Sequence, residues 1–214
     1  MCGRYQFTLE KDGEIRRVAQ IIEREYGSGA WTPGEIRPTD KAPVLTVSNG
    51  NVRPELQSWG YRLADSLVIN ARAETAMEKP LFRDSAASRR CAVPSTGFWE
   101  WDGEKQKYFF TLPGETALYM AGLYAVRDGT PRYCILTTEA NASMRGVHSR
   151  MPLVLRREQV SLWLRQPEAA LRLLRSVPPE LEKTPESAQL RLWQVVPQYA
   201  EKGAGLQELS RFPA

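Results

Sequence analysis

The sequence predicts an α+β fold dominated by β-sheet, arranged as one domain over residues 1–214. Three observations carry this prediction. Short apolar or alternating runs recur along the chain, separated by the turn-forming pairs Asn49-Gly50, Pro113-Gly114 and Asp128-Gly129. Segments with helical spacing are fewer and short. Finally, 214 residues suffice for one sizeable core, and neither an internal repeat nor a break in composition divides them.

In chain order, residues 1–5 open an N-terminal strand. Residues 10–26 place Ile15, Val18, Ile21 and Ile22 at helical spacing among charges, and Gly27 closes that helix. A loop rich in Pro and Gly runs through Arg37-Pro38-Thr39. Residues 43–49 read as a strand turning at Asn49-Gly50 into a second that ends at Trp59. Residues 68–74 begin apolar and then alternate, so an extended reading puts Asn70, Arg72 and Glu74 on one face. A short helix is expected at 81–90, with strands at 91–94 and 97–101. Segments 106–112, 117–125 and 131–137 read as an antiparallel meander, the first two joined at Pro113-Gly114. Helices follow at 138–146, 157–165 and 167–176, then a link at 177–187 and a last strand at 190–196.

Composition narrows the classes. The chain is 42% hydrophobic and 25% charged, and no run of about 18 apolar residues could span a membrane. Charges at Arg4, Glu10 and Lys11 leave no apolar signal segment, so a cytoplasmic location is expected. The net charge of +4 is compatible with a nucleic-acid partner without pointing to one. Cys2, Cys91 and Cys134 are scattered and odd in number, and His148 is the one histidine, so neither a disulfide framework nor a metal site is expected.

Four stretches could carry chemistry. If Met1 is removed, Cys2 presents an α-amine and a thiol on one residue, titrating near pH ~8 and ~8.5 respectively. Such an aminothiol condenses with an aldehyde to an imine, and sulfur then closes a five-membered thiazolidine. Taken alone, Cys2 is better read as the start of a strand that tucks into the core. Asn70, Arg72 and Glu74 could bind a substrate and its phosphate, since a guanidinium forks onto phosphate; a solvated strand face is the simpler account. Glu100, between Phe98-Trp99 and Trp101, is either a desolvated carboxyl with a raised pKa suited to proton transfer, or an outward residue with the tryptophans in the core. His148, flanked by Arg145 and Arg150, would tend to stay neutral and could shuttle protons, although a single histidine is most often incidental.

Together, Met1-Cys2-Gly3-Arg4-Tyr5, Trp59-Gly60, Ile69-Asn70-Ala71-Arg72-Ala73-Glu74-Thr75, Gly97-Phe98-Trp99-Glu100-Trp101 and His148-Ser149-Arg150-Met151-Pro152 resemble the SOS response-associated peptidase (SRAP) family in content and order. The resemblance implies a largely antiparallel, barrel-like β-structure with flanking helices. It implies a protein that binds single-stranded DNA and traps abasic sites covalently, because an open abasic sugar presents the aldehyde that Cys2 needs. In that reading Cys2 supplies amine and thiol, Asn70 orients the N-terminal residue and sugar, Glu100 manages protons, and His148 assists at the sugar hydroxyl or in reversal. Arg4, Arg72 and Arg150 match backbone-contacting positions, and Pro38 and Trp59 complete the implied DNA-binding set. A monomer without cofactor or metal is expected, nucleoid-associated if bacterial. The family also removes residues ahead of its cysteine; here only Met1 precedes Cys2, so an ordinary aminopeptidase would suffice.

Three departures from the family pattern stand out. Glu35-Ile36-Arg37-Pro38 replaces an Asn-x-Ala-Pro stretch, Tyr61–Asp65 lacks the usual Pro and Trp, and residues 199–203 replace a Val-x-Asn segment. They bear on the surface where a neighbouring base would stack. Two rival functions remain: an N-terminal-nucleophile cysteine amidohydrolase, tested by glutaminase activity, and a non-covalent DNA-binding module, tested by Cys2→Ala.

Overall fold

A computed structural model describes residues 2–9, 13–127 and 129–186. In chain order the strands and helices are β1 (Arg4–Phe7), α1 (Gly13–Tyr26), β2 (Gly34–Ile36), β3 (Lys41–Ser48), β4 (Asn51–Trp59), β5 (Tyr61–Arg62), β6 (Leu67–Val68) and β7 (Asn70–Arg72). After a 3-10 turn at Ala73–Thr75 come α2 (Arg83–Ser88), β8 (Arg90–Ser95), β9 (Gly97–Trp101), β10 (Lys107–Thr111), β11 (Leu118–Arg127) and β12 (Thr130–Glu139). The remainder comprises α3 (Ala142–Arg145), β13 (Arg150–Pro152), β14 (Val154–Leu155), α4 (Arg157–Arg165), α5 (Pro167–Leu173) and β15 (Glu182–Pro185).

Helix α1 forms because Ile15, Val18, Ala19 and Ile22 recur on one face, and all four are buried against the sheet at β3 and β4. Each large aliphatic side chain so covered contributes about 1.5–3 kcal/mol. Glu14 in the first turn and Arg24 in the last complement the helix dipole. Gly27, at φ +90°, ends the helix by taking the left-handed conformation that other residues resist.

Strands β12, β4, β3, β8 and β11 close into a ring, with β11 pairing back onto β12. The seam between β12 and β4 is parallel, at Arg132–Ser58 and Tyr133–Trp59, and the other four are antiparallel. The expected barrel is therefore present, with one parallel seam. Strand β12 carries four neighbours: β11 and β13 pair with successive parts of it, as do β4 and β7. A second, antiparallel sheet runs β15-β10-β9-β1-β2.

The chain passes from the barrel to this sheet between β8 and β9. Gly97 sits at φ +155°, where a Cβ would run into the Phe109 ring and lie 2.7 Å from the Phe110 carbonyl oxygen. No other residue fits this corner. Ser95 Oγ fastens it, donating to the Gly97 carbonyl at 2.6 Å.

The structure corrects three expectations about elements. Segments 106–112 and 117–125 do not form a hairpin: β10 belongs to the second sheet and β11 to the barrel, so Pro113-Gly114 lies in a crossing between sheets. Glu74 lies on the 3-10 turn after β7, not on a strand face. The link at 177–187 contains β15, which pairs with β10. The strand expected at 190–196 and the departure at 199–203 lie outside the described residues. No described helix is long and apolar enough to cross a membrane.

Candidate active site

Cys2 precedes β1 and is fully buried. Its Sγ donates to the Arg4 carbonyl at 3.7 Å. Burial pushes the thiol well above its ordinary range, and the charge of Glu100 pushes it further. The thiol and that carboxylate therefore share one electrostatic environment.

The register of β9 decides which way Glu100 points. Tyr5 pairs with Phe98, Tyr108 with Glu100, and Phe110 with Phe98, so Glu100 faces inward with these aromatics. Only 4% of Glu100 is exposed. Arg4 and Phe109 pair with Trp99, and Lys107 with Trp101, so both tryptophans occupy the opposite face. The outward reading of Glu100 is thereby excluded. The Trp101 backbone N–H donates to Glu100 Oε1 at 3.3 Å.

Asn70 opens β7 opposite Ile135 of β12. Its Nδ2 donates to the Cys2 carbonyl at 3.1 Å, tying residues 68 positions apart. Its Oδ1 is buried and lacks a hydrogen-bond partner among the described residues. A buried acceptor left unpaired is costly, so an incoming donor would be held there.

His148 is half-buried just ahead of β13. Its Nδ1 lies 2.9 Å from the Arg150 backbone nitrogen and 3.2 Å from the Arg150 carbonyl oxygen. The shorter contact requires Nδ1 to accept, so the neutral ring carries its proton on Nε2. Arg150 is braced in turn. Its Nη1 and Nη2 fork onto Glu74 at 2.7 and 2.8 Å, and Nη2 also donates to the Thr137 carbonyl at 2.6 Å. Arg150 holds Glu74 below the usual carboxylate range.

A hydrogen bond joins Asn70 to Cys2, and the Cys2 thiol feels the charge of Glu100, while β7 and β13 both pair with β12 and Arg150 of β13 is bound to Glu74 just after β7. The expected DNA-contacting residues divide. Arg72 is exposed. Arg4 is 40% exposed, with its guanidinium 5.3 Å from the Trp101 ring centre. Arg150 is committed to Glu74 and Thr137, so its guanidinium braces the protein's own strands. Pro38 is half-buried on a turn where the Arg37 N–H donates to Asp40 Oδ2 at 2.8 Å. Trp59 departs from expectation: it is fully buried, packs between Tyr5 and Tyr133, and donates from Nε1 to the Ile69 carbonyl at 3.1 Å. It has no free face for a base and belongs to the core.

The family model described as SOS response associated peptidase (SRAP) matches residues 1–202. The chain belongs to this family. Among its relatives, the Bacillus subtilis abasic site processing protein YoaM is 30% identical over 181 residues, covering 77% of this chain and 79% of its own. The Escherichia coli abasic site processing protein YedK is 26% identical over 178 residues, covering 78% and 80%. A solved protein structure from Bordetella bronchiseptica shares the SRAP chain's fold with a TM-score of 0.69 at 22% identity, over 86% of this chain and 99% of that one.

The Glu74–Arg150 pair joins residues 76 positions apart, a partnership that local sequence pattern does not reveal.

Proposed function

We propose that this protein processes abasic sites in DNA, capturing them covalently on single strands through Cys2. The observation that carries the reading is Asn70, whose Nδ2 holds the Cys2 carbonyl while its unpaired Oδ1 awaits a donor such as a sugar hydroxyl. The names of the Bacillus subtilis and Escherichia coli relatives supply the substrate class.

The chemistry requires a free Cys2 amine, and hence loss of Met1. Opening of the abasic sugar moves a proton from the anomeric hydroxyl to the ring oxygen, which the Nε2–H of His148 steadies. The amine adds to the exposed aldehyde carbon, the carbonyl oxygen leaves as water, and a cationic imine remains. Sulfur then bonds to the imine carbon and closes the thiazolidine. The departing oxygen takes one proton from the amine and, in net, one from the thiol, with the Glu100 carboxylate as relay. Burial keeps the resting thiol protonated at neutral pH, so attack by sulfur requires a base to take its proton.

The test is intact-mass spectrometry of protein lacking Met1, before and after mixing with a single strand bearing one abasic site. The expected product survives denaturation and has the summed mass of protein and strand less one water, with the adduct on Cys2. A processed Cys2 that leaves the strand unmodified would sink the proposal.

A further inference from the structure

On the outer face of the second sheet, three cations surround one carboxylate. Glu35 of β2 lies opposite Gln6 in register, and Gln6 is two residues along β1 from Arg4. Its Oε1 accepts from Arg37 Nε at 2.8 Å and Arg4 Nη1 at 3.5 Å, and its Oε2 lies 3.9 Å from Lys107 Nζ. Lys107 also pairs with Glu186 at 2.8 Å and lies 4.0 Å from the Trp99 ring centre. The side chains of Arg4 and Arg37 are 40% and 62% exposed, so the cluster is open to solvent. It lies close to the chemistry, because Arg4 is two residues from Cys2 and its carbonyl receives the Cys2 thiol.

A carboxylate that gathers two guanidinium groups and an ammonium imitates a phosphate, which also offers paired anionic oxygens to such donors. We infer that Glu35 is a specificity-determining residue that occupies the seat of a backbone phosphate and competes with DNA for Arg4 and Arg37. The inference rests on the proposed single-strand reading and deepens it. A bound strand must displace Glu35, so non-covalent affinity is held down, and a nucleotide delivered to Cys2 must bring enough phosphate contact to win the exchange. A purely structural Glu35 would instead hold the turn through its Arg37 pair, and its loss would leave DNA binding unchanged or weaker.

The experiment measures fluorescence anisotropy of an undamaged oligothymidylate strand against wild type, Glu35→Gln and Arg37→Ala across a sodium chloride series. Using an undamaged strand separates binding from the covalent step. Glu35→Gln should bind roughly three- to tenfold more tightly at low salt. Its affinity should also fall more steeply with salt, by about 0.7 in the logarithmic slope for one additional phosphate contact. Arg37→Ala should bind more weakly with a shallower slope. If wild type binds and Glu35→Gln binds equally or less tightly, the inference is overturned while the DNA reading stands. Absence of binding by wild type and Glu35→Gln alike would overturn both.

Discussion

Glu100→Gln separates the carboxylate's chemistry from its place in the fold. The substitution preserves shape, and the amide oxygen can still accept the Trp101 N–H that Oε1 accepts at 3.3 Å. Stability should therefore change by only about 1 kcal/mol in either direction. The amide cannot relay the thiol proton, so the covalent step should slow by about 10²–10⁴-fold, equivalent to about 3–5 kcal/mol in the barrier. The Cys2 thiol is raised first by burial and second by the Glu100 charge. Removing the charge should make the thiol more acidic, while burial keeps it above its ordinary range. Single-turnover crosslinking to an abasic strand measures the rate, and the pH profile of iodoacetamide alkylation measures the thiol. A variant that reacts more slowly although its thiol ionises more readily would identify Glu100 as the proton relay. Wild-type crosslinking, or an alkylation profile displaced to higher pH, would refute the reasoning.

Other perturbations probe the surrounding frame. Asn70→Asp sets an acceptor against the Cys2 carbonyl, now 3.1 Å from a donor, so it should lower Tm and cut the crosslinking rate of the folded protein by about 10²-fold; an unchanged rate would make Asn70 a bystander. Trp59→Phe loses the bond to the Ile69 carbonyl and part of the stack with Tyr133, which should cost about 2 kcal/mol and lower Tm by about 4–8 °C. DNA binding by its folded form should stay at the wild-type level, and selective loss of binding at normal Tm would return Trp59 to the interface. Burial pushes the Cys134 thiol from an ordinary value of 9.0 up to about 12. Because the unfolded chain releases that proton first, the stabilisation is complete below about pH 9 and declines by about 4 kcal/mol as pH rises toward 12. Cys134→Ala should make this part of a denaturant-versus-pH series less steep, leaving the decline that the buried thiols Cys2 and Cys91 contribute; an equally steep decline would assign it elsewhere. Glu74 acts at the other end, since its lowered pKa contributes stability present above about pH 4.5 and lost as pH falls through the folded value. Glu74→Gln should remove that acid-side dependence.

The sequence was most legible where local chemistry determines geometry. Asn49-Gly50 marked the β3–β4 turn because it tolerates the φ values of +50° and +75° required there. The spacing of Ile15, Val18 and Ile22 revealed α1, and the apolar positions of residues 157–165 matched α4. Sheet partnership was less legible, since alternation assigns faces without naming neighbours, and β10 and β11 consequently looked like a hairpin. β15 was hidden because Glu182-Lys183-Thr184-Pro185 has no apolar alternation. At the site, the order of Cys2, Asn70, Glu100 and His148 suggested a family and its chemistry. The direction of Glu100 remained ambiguous because Phe98 and Trp99, on opposite faces of β9, are both buried. Trp59 enters the DNA-binding set only through the resemblance, and a Trp-Gly pair does not show that two tyrosines enclose its ring.

The Gly97 corner has a consequence for how this chain can tolerate insertions and deletions. Three steps along β9 separate Gly97, on the face of Trp99 and Trp101, from Glu100 on the inward face, and side chains alternate at every step. Adding or removing one residue between them would exchange the carboxylate for a tryptophan and present an indole to the Cys2 thiol, even if the sheet still formed. In the turn that follows, Asp102 to Gln106, Asp102 Oδ1 accepts from the N–H groups of Glu104 and Gln106, and residues 103–106 are exposed. A residue inserted at that exposed turn can bulge into solvent at the cost of those two bonds, whereas one inserted between Gly97 and Glu100 reverses which face carries the carboxylate.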